Sequence, residues 1–299
     1  MSASAPTEAL PALPLALASR LKVALRAAES AGAILMRHLG GGDALQVEHK
    51  GAVDLVTVAD REAEACVLGE LALAFPEDGR IGEETDGAGG RAAWQATARR
   101  TTYCWLVDPL DGTTNFAHGH LQFCVSIGLL RDGVPCLGVV HAPARRETFV
   151  GGVGLPSTCN GAPIHVSAVD QLSGALVATG FPYDRRPRID TLLSRLRVVL
   201  LSCQGVRRGG SAALDLCELA AGRLDAYYED SLQPWDVAAG IAIVEAAGGA
   251  VRGFGAAQPA WQVPADPFAG AVLASNLRLG PQMATLLAGA ERSATGGDS

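Results

Sequence analysis

The sequence predicts a layered α/β fold in which pairs of helices alternate with sheets in one compact unit. Two segments with apolar residues at helical spacing come first. A run of short apolar segments separated by strong turn signals follows, and strands alternate with helices in the second half. We find no strong internal repeat and no interdomain linker. One domain is therefore predicted over residues 15–289, between a flexible N-terminal extension (1–14) and a disordered tail (290–299).

Composition excludes several classes of protein. The chain has 299 residues, of which 48% are hydrophobic and 18% charged, enough to bury a large core. The net charge is −7, and no basic run exceeds two residues, so direct nucleic-acid binding is not expected. No long apolar run predicts a membrane span, and the N-terminus lacks the basic start of a secretion signal. No membrane association is therefore expected.

Cysteine usage indicates a reducing compartment. The seven cysteines are scattered, their number is odd, and none forms a Cys-x-x-Cys motif. Most lie in apolar segments, where free buried thiols are the expected state. A cytoplasmic location follows as the expectation.

The first two predicted helices cover a sheet. Leu15 to Leu39 carries apolar and alanine residues at helical spacing, after Pro14 and before a run of three glycines. A strand is predicted from Gln46 to Lys50. A second helix begins near Asp60 and ends near Pro76. Asp60 is placed where an acid often caps a helix, so a purely structural role stays open for it.

The next segment is a predicted strand whose end carries two acidic residues. Arg80 to Thr85 reads as a strand end carrying Glu83 and Glu84. A Glu-Glu pair is most often a solvated turn, but these acids follow an apolar strand signal and precede a glycine-rich loop. We therefore expect a ligand group there. Residues 88–100 are predicted to be mobile.

The stretch from Tyr103 to Asn115 organises the rest of the chain. Apolar residues run into Asp108, and Pro109 is predicted to stop the strand there. A second carboxylate follows at Asp111, so the two acids would repel and raise each other's pKa unless a positive charge lay between them. The alternative is a polar turn in which Asp108 caps a helix. We favour a divalent-metal site built from oxygen ligands.

The remaining elements continue the layered pattern. Three apolar strands follow, and Asp132-Gly133 and Asn160-Gly161 predict hairpin turns. The second half opens with a strand at Leu176 and then a helix over Ile189 to Leu201. The later predicted elements are a helix capped by Ser211, a strand ending at Glu229, a helix from Asp236 to Ala247, a strand from Ala269 to Ala274 and a last helix from Gln282 to Ala288.

Four motifs in this order resemble those of the inositol monophosphatase family of magnesium-dependent, lithium-sensitive phosphatases. The first signature corresponds to Asp108 to Phe116 and the second to Trp235 to Gly249. Asp54 to Asp60 and Ile81 to Glu84 match two further elements. The resemblance covers about residues 20–285 and implies an α-β-α-β-α sandwich of the inositol monophosphatase / fructose-1,6-bisphosphatase type.

The resemblance also implies roles for the acids. Hard oxygen ligands without cysteine or histidine favour Mg²⁺ over zinc. Roughly two to three Mg²⁺ ions are expected, since paired ions about 3.5–4 Å apart are typical of phosphate-ester hydrolysis. One ion would take Glu83, Asp108 and the carbonyl of Leu110. The second would take Asp108, Asp111 and Asp236, and a third, weaker ion would reach Glu83 through water.

Catalytic and substrate contacts follow from the same motifs. The Thr113 hydroxyl, held by Asp60, is expected to orient the attacking water, and the amides of Gly112 and Thr113 are expected to hold phosphate. Inositol hydroxyls would contact Asp111, Gly210, Ser211, Ala212 and Glu229. A surface ion pair of Glu229 with Arg207 or Arg208 stays open as its alternative role.

The predicted activity is Mg²⁺-dependent hydrolysis of a phosphate monoester, with myo-inositol 1-phosphate as the first choice. Histidinol phosphate and fructose 1,6-bisphosphate are alternative substrates, since related bacterial-type sequences share this core. A hypothesis of another class is binding to the transcription machinery, because Gly180 to Tyr183 and Gly209 to Asp215 resemble bacterial members with that role. The family also suggests a homodimer.

Overall fold

The computed structural model describes residues 15–39, 47–49, 55–255, 261–262 and 264–295. The predicted extension (1–14), Asp54 and the last four residues lie outside these ranges. The helices of the described part are α1 (Leu15–His38), α2 (Val58–Ala74), α3 (Glu83–Asp86), α4 (Arg91–Arg100), α5 (Thr113–Ala117), α6 (Ile189–Ser202), α7 (Ala212–Ala220), α8 (Pro234–Ala246) and α9 (Gly280–Thr295).

The strands of the described residues form three sheets. The strands are β1 (Val47–His49), β2 (Leu55–Thr57), β3 (Gly79–Gly82), β4 (Tyr103–Asp111), β5 (Cys124–Arg131), β6 (Val134–Ala142), β7 (Glu147–Gly152), β8 (Leu155–Cys159), β9 (Ala162–Pro163), β10 (Leu176–Thr179), β11 (Gly205–Arg207), β12 (Ala226–Asp230), β13 (Gly249–Arg252) and β14 (Ala271–Asn276). A seven-stranded sheet runs in sequence order from β3 to β9, and a five-stranded sheet has the order β11-β10-β12-β14-β13. β1 and β2 form the third sheet.

These elements stack in five layers, as predicted. α1 and α2 pack together on one face of the seven-stranded sheet, and α7 and α8 lie between the two large sheets. α6 and α9 cover the outer face of the five-stranded sheet. α8 is buried on nearly all sides because it contacts both sheets, and its residues are almost all apolar or small. The order of layers is therefore α-β-α-β-α.

The two hairpin turns predicted from Asp-Gly and Asn-Gly pairs are present in the structure. Asp132 and Gly133 have φ of 52° and 82°, and Asn160 and Gly161 have φ of 51° and 79°. These left-handed pairs are typical of tight hairpins, and they join β5 to β6 and β8 to β9. The antiparallel meander predicted for this part of the chain is confirmed.

Two segments that were predicted to lack regular structure are helical. Residues 88–100, predicted as mobile, contain α4, which buries Trp94 and Ala98. The last helix is longer than predicted, so residues 290–295, placed in a disordered tail, are helical up to Thr295. The limits of the domain otherwise stay a prediction. Within the described residues, no helix is long and apolar enough to cross a bilayer.

Candidate active site

β4 delivers two carboxylates to one point through a bulge. Asp108 pairs with Ser126 and Asp111 with Cys124, so β4 holds one more residue than β5 over this span. The prediction that Pro109 stops the strand was wrong, because the proline lies in the bulge, where no ladder donor is needed. The amide of Leu110 donates to Oδ1 of Asp108 (3.0 Å), which fixes that side chain.

Asp111 connects the seven-stranded sheet to the start of α7. Its Oδ2 accepts hydrogen bonds from the Ser211 hydroxyl (2.7 Å) and from the amide of Ala213 (2.7 Å) at the start of α7. The Ser211 hydroxyl also accepts a bond from the amide of Leu214 and so caps α7, as predicted. The α7 N-terminus therefore holds one carboxylate oxygen of Asp111 in place.

Asp236 enters from the first turn of α8. Its Oδ2 accepts a hydrogen bond from the amide of Gln233 (2.7 Å), so it caps the helix as well as facing the cavity. Capping the helix and facing the cavity are compatible, because a carboxylate has a second oxygen.

The electrostatics of these carboxyls show how close they lie. Burial, and then repulsion led by Glu83, raises the pKa of Asp108 well above its ordinary value. Burial and the neighbouring charge of Asp111 raise the pKa of Asp236 to about 8. Burial raises the pKa of Asp111 to about 6, although the bonds from Ser211 and Ala213 oppose the rise. With all of its carboxyl groups ionised and no positive charge among them, the cluster is therefore electrostatically unfavourable.

A hard divalent cation fits this donor set. Acids that repel each other at 2% exposure (Asp108) and 9% exposure (Asp111) are stabilised by a positive charge between them. Among the described residues, no group of three or more histidine, cysteine, aspartate or glutamate side chains has the spacing of a finished ligand cage. Binding a cation would therefore require side-chain movement, and Glu83 is only half-buried.

Gly112 and Thr113 lie where the bulge turns into α5. Gly112 has φ of 98°, a conformation that favours glycine, and Thr113 is the first residue of α5. The Thr113 hydroxyl donates to the carbonyl of Leu110 (3.1 Å), the predicted backbone ligand. Asp60, in the first turn of α2, is 2% exposed and close enough to Asp108 to raise its pKa. The contact of Thr113 with Asp60 stays a prediction.

Glu229 faces the same cavity from β12. It lies inside the strand rather than at its end, and its Oε2 accepts a hydrogen bond from the Tyr227 hydroxyl (2.7 Å). Burial raises the pKa of Glu229 to about 7, although Tyr227 and the charge of Arg208 oppose the rise. The alternative role of Glu229, an ion pair with Arg207 or Arg208, stays a prediction.

Sequence reasoning missed three contributors to this side of the site. Tyr227 could have been found, since residues two apart on a strand point to one face. Gly180 could not, because its role depends on a close approach: a Cβ there would lie 1.9 Å from Oε2 of Glu229. Arg208 was considered only as a surface partner, but it lines the cavity.

The predicted residues meet in one cavity of about 1120 Å³ between the two sheets. Its lining includes Glu83, Asp108, Leu110, Asp111, Gly112, Thr113, Gly210, Ala212, Glu229 and Asp236. Ser211 and Asp60 lie behind this surface, since Ser211 is 1% exposed and Asp60 2%.

The five-layer sandwich and its acidic, oxygen-lined cavity agree with the fold that the sequence motifs imply. The chain belongs to the inositol monophosphatase family, whose model matches residues 16–294. It is 40% identical over 269 residues to inositol-1-monophosphatase of Synechocystis, covering 90% of this chain and 88% of that one. It is 41% identical over 236 residues to the Nus factor SuhB of Pseudomonas aeruginosa, covering 78% and 85%.

A solved structure agrees with the fold. The extragenic suppressor protein suhB of Bartonella henselae superposes with a TM-score of 0.79 at 37% identity, over 90% of this chain and 98% of that one. The five-layer architecture is thus shared over nearly the whole length of both proteins.

Proposed function

We propose that this protein is a Mg²⁺-dependent phosphatase that hydrolyses myo-inositol 1-phosphate to inositol and phosphate. The observation that carries the proposal is one cavity with two kinds of acid. Mutually repelling carboxylates line this cavity, and Glu229 lines it as well. The family and a relative named inositol-1-monophosphatase support this choice.

Each residue has a task in this proposal. Glu83, Asp108, Asp111, Asp236 and the carbonyl of Leu110 would hold Mg²⁺, which would neutralise the phosphoryl oxygens and make water a better nucleophile. The amides of Gly112 and Thr113 would donate to the phosphate. Asp60 would accept the proton of the attacking water through the Thr113 hydroxyl. That hydroxyl has one proton, so it must leave the carbonyl of Leu110 to donate to Asp60.

Other residues of the cavity would bind the substrate hydroxyls. Glu229 would accept hydrogen bonds from vicinal hydroxyl groups, and Gly210 and Ala212 line the same cavity. Ser211 acts behind them through Asp111. Tyr227 and Gly180 fix the direction in which the Glu229 carboxylate points.

A phosphate-release panel with Mg²⁺ tests the activity and the substrate class together. It contains inositol 1-phosphate, histidinol phosphate, fructose 1,6-bisphosphate and a nucleotide monophosphate. We expect the highest kcat/KM for inositol 1-phosphate. Much faster release from histidinol phosphate or the bisphosphate would transfer the proposal to that substrate, and no release from any would contradict it.

Relatives named Nus factor SuhB support a second candidate, binding to the transcription machinery. The two roles make different demands on the acids, since protein binding has no need for Glu83 or Asp236. A pull-down of transcription proteins with Glu83→Gln therefore separates them. Retained capture would support the binding role, and failure of the parent protein to capture any would contradict it.

Glu229→Gln is expected to lower kcat/KM for inositol 1-phosphate by about tenfold or more, because a site built to bind hydroxyls discriminates through its polar groups. A generic aryl phosphate, which lacks those hydroxyls, is the matched control and should change little. Steady-state kinetics on both substrates measure the difference. Equal losses on the two substrates would make Glu229 a structural residue.

Lithium is expected to inhibit at millimolar concentrations. Glu83 is half-buried, so the weaker ion position beside it would be the least enclosed of the proposed positions. A small monovalent cation could occupy that position after hydrolysis. Phosphate release at limiting Mg²⁺, with NaCl replacing LiCl as the control, measures the effect. Full activity in excess LiCl would contradict this prediction.

We also propose a cytoplasmic homodimer. All seven cysteines are free thiols, as a reducing compartment favours. The outer face of α6 exposes Ile189, Leu193 and Leu200, an apolar stripe at helical spacing. Sedimentation should give the mass of a dimer for the parent and of a monomer for Leu193→Glu. A monomeric parent would contradict the proposal.

A further inference from the structure

The glycine-rich segment after Glu83 leads into α4, which lies along the rim of the cavity. Arg91, the first residue of α4, donates through one guanidinium nitrogen to the carbonyl of Leu232 (2.8 Å) and through the other to the carbonyl of Phe268. Leu232 immediately precedes the capping turn of α8, which carries Asp236. Arg91 therefore attaches the segment after Glu83 to the segment before Asp236.

Trp94 makes a second connection between the same two segments. Its Nε1 donates to the carbonyl of Asp86 (2.9 Å), the last residue of α3, whose first residue is Glu83. Its ring packs edge-on against Trp235, with centroids 4.8 Å apart and an interplanar angle of 69°. Trp235 is the neighbour of Asp236 in the chain, and both tryptophans are buried.

α3 needs such support, because a helix of four residues has too few internal bonds to hold its own position. Glu64 on α2 holds it from behind: its buried carboxylate accepts hydrogen bonds from the amides of Glu84 (2.7 Å) and Thr85 (2.8 Å). The carboxylate of Asp86 accepts a bond from the amide of Gly82 (3.0 Å). α3 is thus fixed between α2 on one side and α4 on the other.

We infer that Arg91 and Trp94 are positioning residues that set the placement of Glu83 relative to Asp236, so that cation affinity depends on side chains that need not touch the cation. This inference rests on the proposed function, which takes both acids as cation ligands. Ordering a half-exposed carboxylate on a short helix costs conformational entropy on binding. The α4 contacts remove part of that cost beforehand, as preorganisation does in other sites.

The test measures Mg²⁺ binding without substrate, by isothermal calorimetry on the full chain. Arg91→Ala is expected to weaken Mg²⁺ binding by about tenfold or more, the range seen when residues that support metal ligands are removed. Arg99→Ala is the matched control, since Arg99 is an exposed arginine on the same helix. Arg91→Lys keeps the charge but loses the two-pronged donor, so it should restore affinity only in part.

A second readout separates positioning from general stability. Amide hydrogen exchange at Glu83 to Asp86 should become faster in Arg91→Ala, while exchange in β5 and β6 stays as in the parent. Trp94→Phe keeps an aromatic ring but removes the donor to Asp86, and it should weaken Mg²⁺ binding even if Arg91→Ala fails to fold.

The outcomes are distinguishable. Parent-like Mg²⁺ affinity in both Arg91→Ala and Trp94→Phe, with unchanged exchange in α3, would overturn the positioning role and leave the proposed function intact. A parent protein that binds no Mg²⁺ and releases no phosphate would overturn both. Weaker Mg²⁺ binding with faster exchange confined to α3 would support the inference.

Discussion

Asp108→Asn is expected to lower kcat for phosphate release by at least about a hundredfold, the scale of loss when a central electrostatic group is removed. Asn keeps the size of the side chain, and its amide oxygen can still accept the bond from Leu110. It lacks the negative charge that two cations would share. Phosphate release at saturating Mg²⁺ measures the effect.

The same variant should separate a ligand from a structural acid. Burial and the neighbouring acids disfavour the charged form of Asp108, whose pKa is raised well above its ordinary value. Its ionisation therefore opposes folding as pH rises, and removing it should not lower the unfolding temperature in Mg²⁺-free buffer at neutral pH. Asp225→Asn is the control for removing the charge of a buried acid elsewhere, because Asp225 is buried and accepts a hydrogen bond from the amide of Leu176. Near-normal turnover by Asp108→Asn would contradict the ligand role.

Local chemistry made much of the fold predictable. Asp-Gly and Asn-Gly pairs determine their own hairpins through positive φ, and helical spacing alone located α1, α2 and α6. α4 was missed because its order comes from Trp94 packing on Trp235, far along the chain. A glycine-rich segment followed by two arginines gives no local sign of such a contact.

The acids of the site were predictable for a different reason. Asp108 and Asp111 come at the end of an apolar run, where uncompensated charge is costly, so the sequence favours a cation site there. Their supports were not predictable, because Asp111 is held by Ser211 and Ala213, which are about a hundred residues away in the chain. The role of Gly180 is likewise visible only once Glu229 is in place.

Asp60 tests the proton-transfer part of the mechanism. It is 2% exposed and occupies the first turn of α2, where the helix N-terminus stabilises a negative charge. A purely structural capping role would use the same position, so only kinetics can separate the two.

Asp60→Asn is expected to lower kcat by about a hundredfold or more, the usual contribution of a positioned proton acceptor. Thr113→Val should produce a loss of similar size, since it removes the hydroxyl between Asp60 and the water, whereas Thr113→Ser keeps that hydroxyl and should retain most activity. Calorimetry on Asp60→Asn should give Mg²⁺ affinity close to that of the parent, because Asp60 is not a proposed ligand. A fall in Mg²⁺ affinity that accounts for the whole kinetic loss would make Asp60 part of the cation site. Parent-like kcat would leave it as a helix cap.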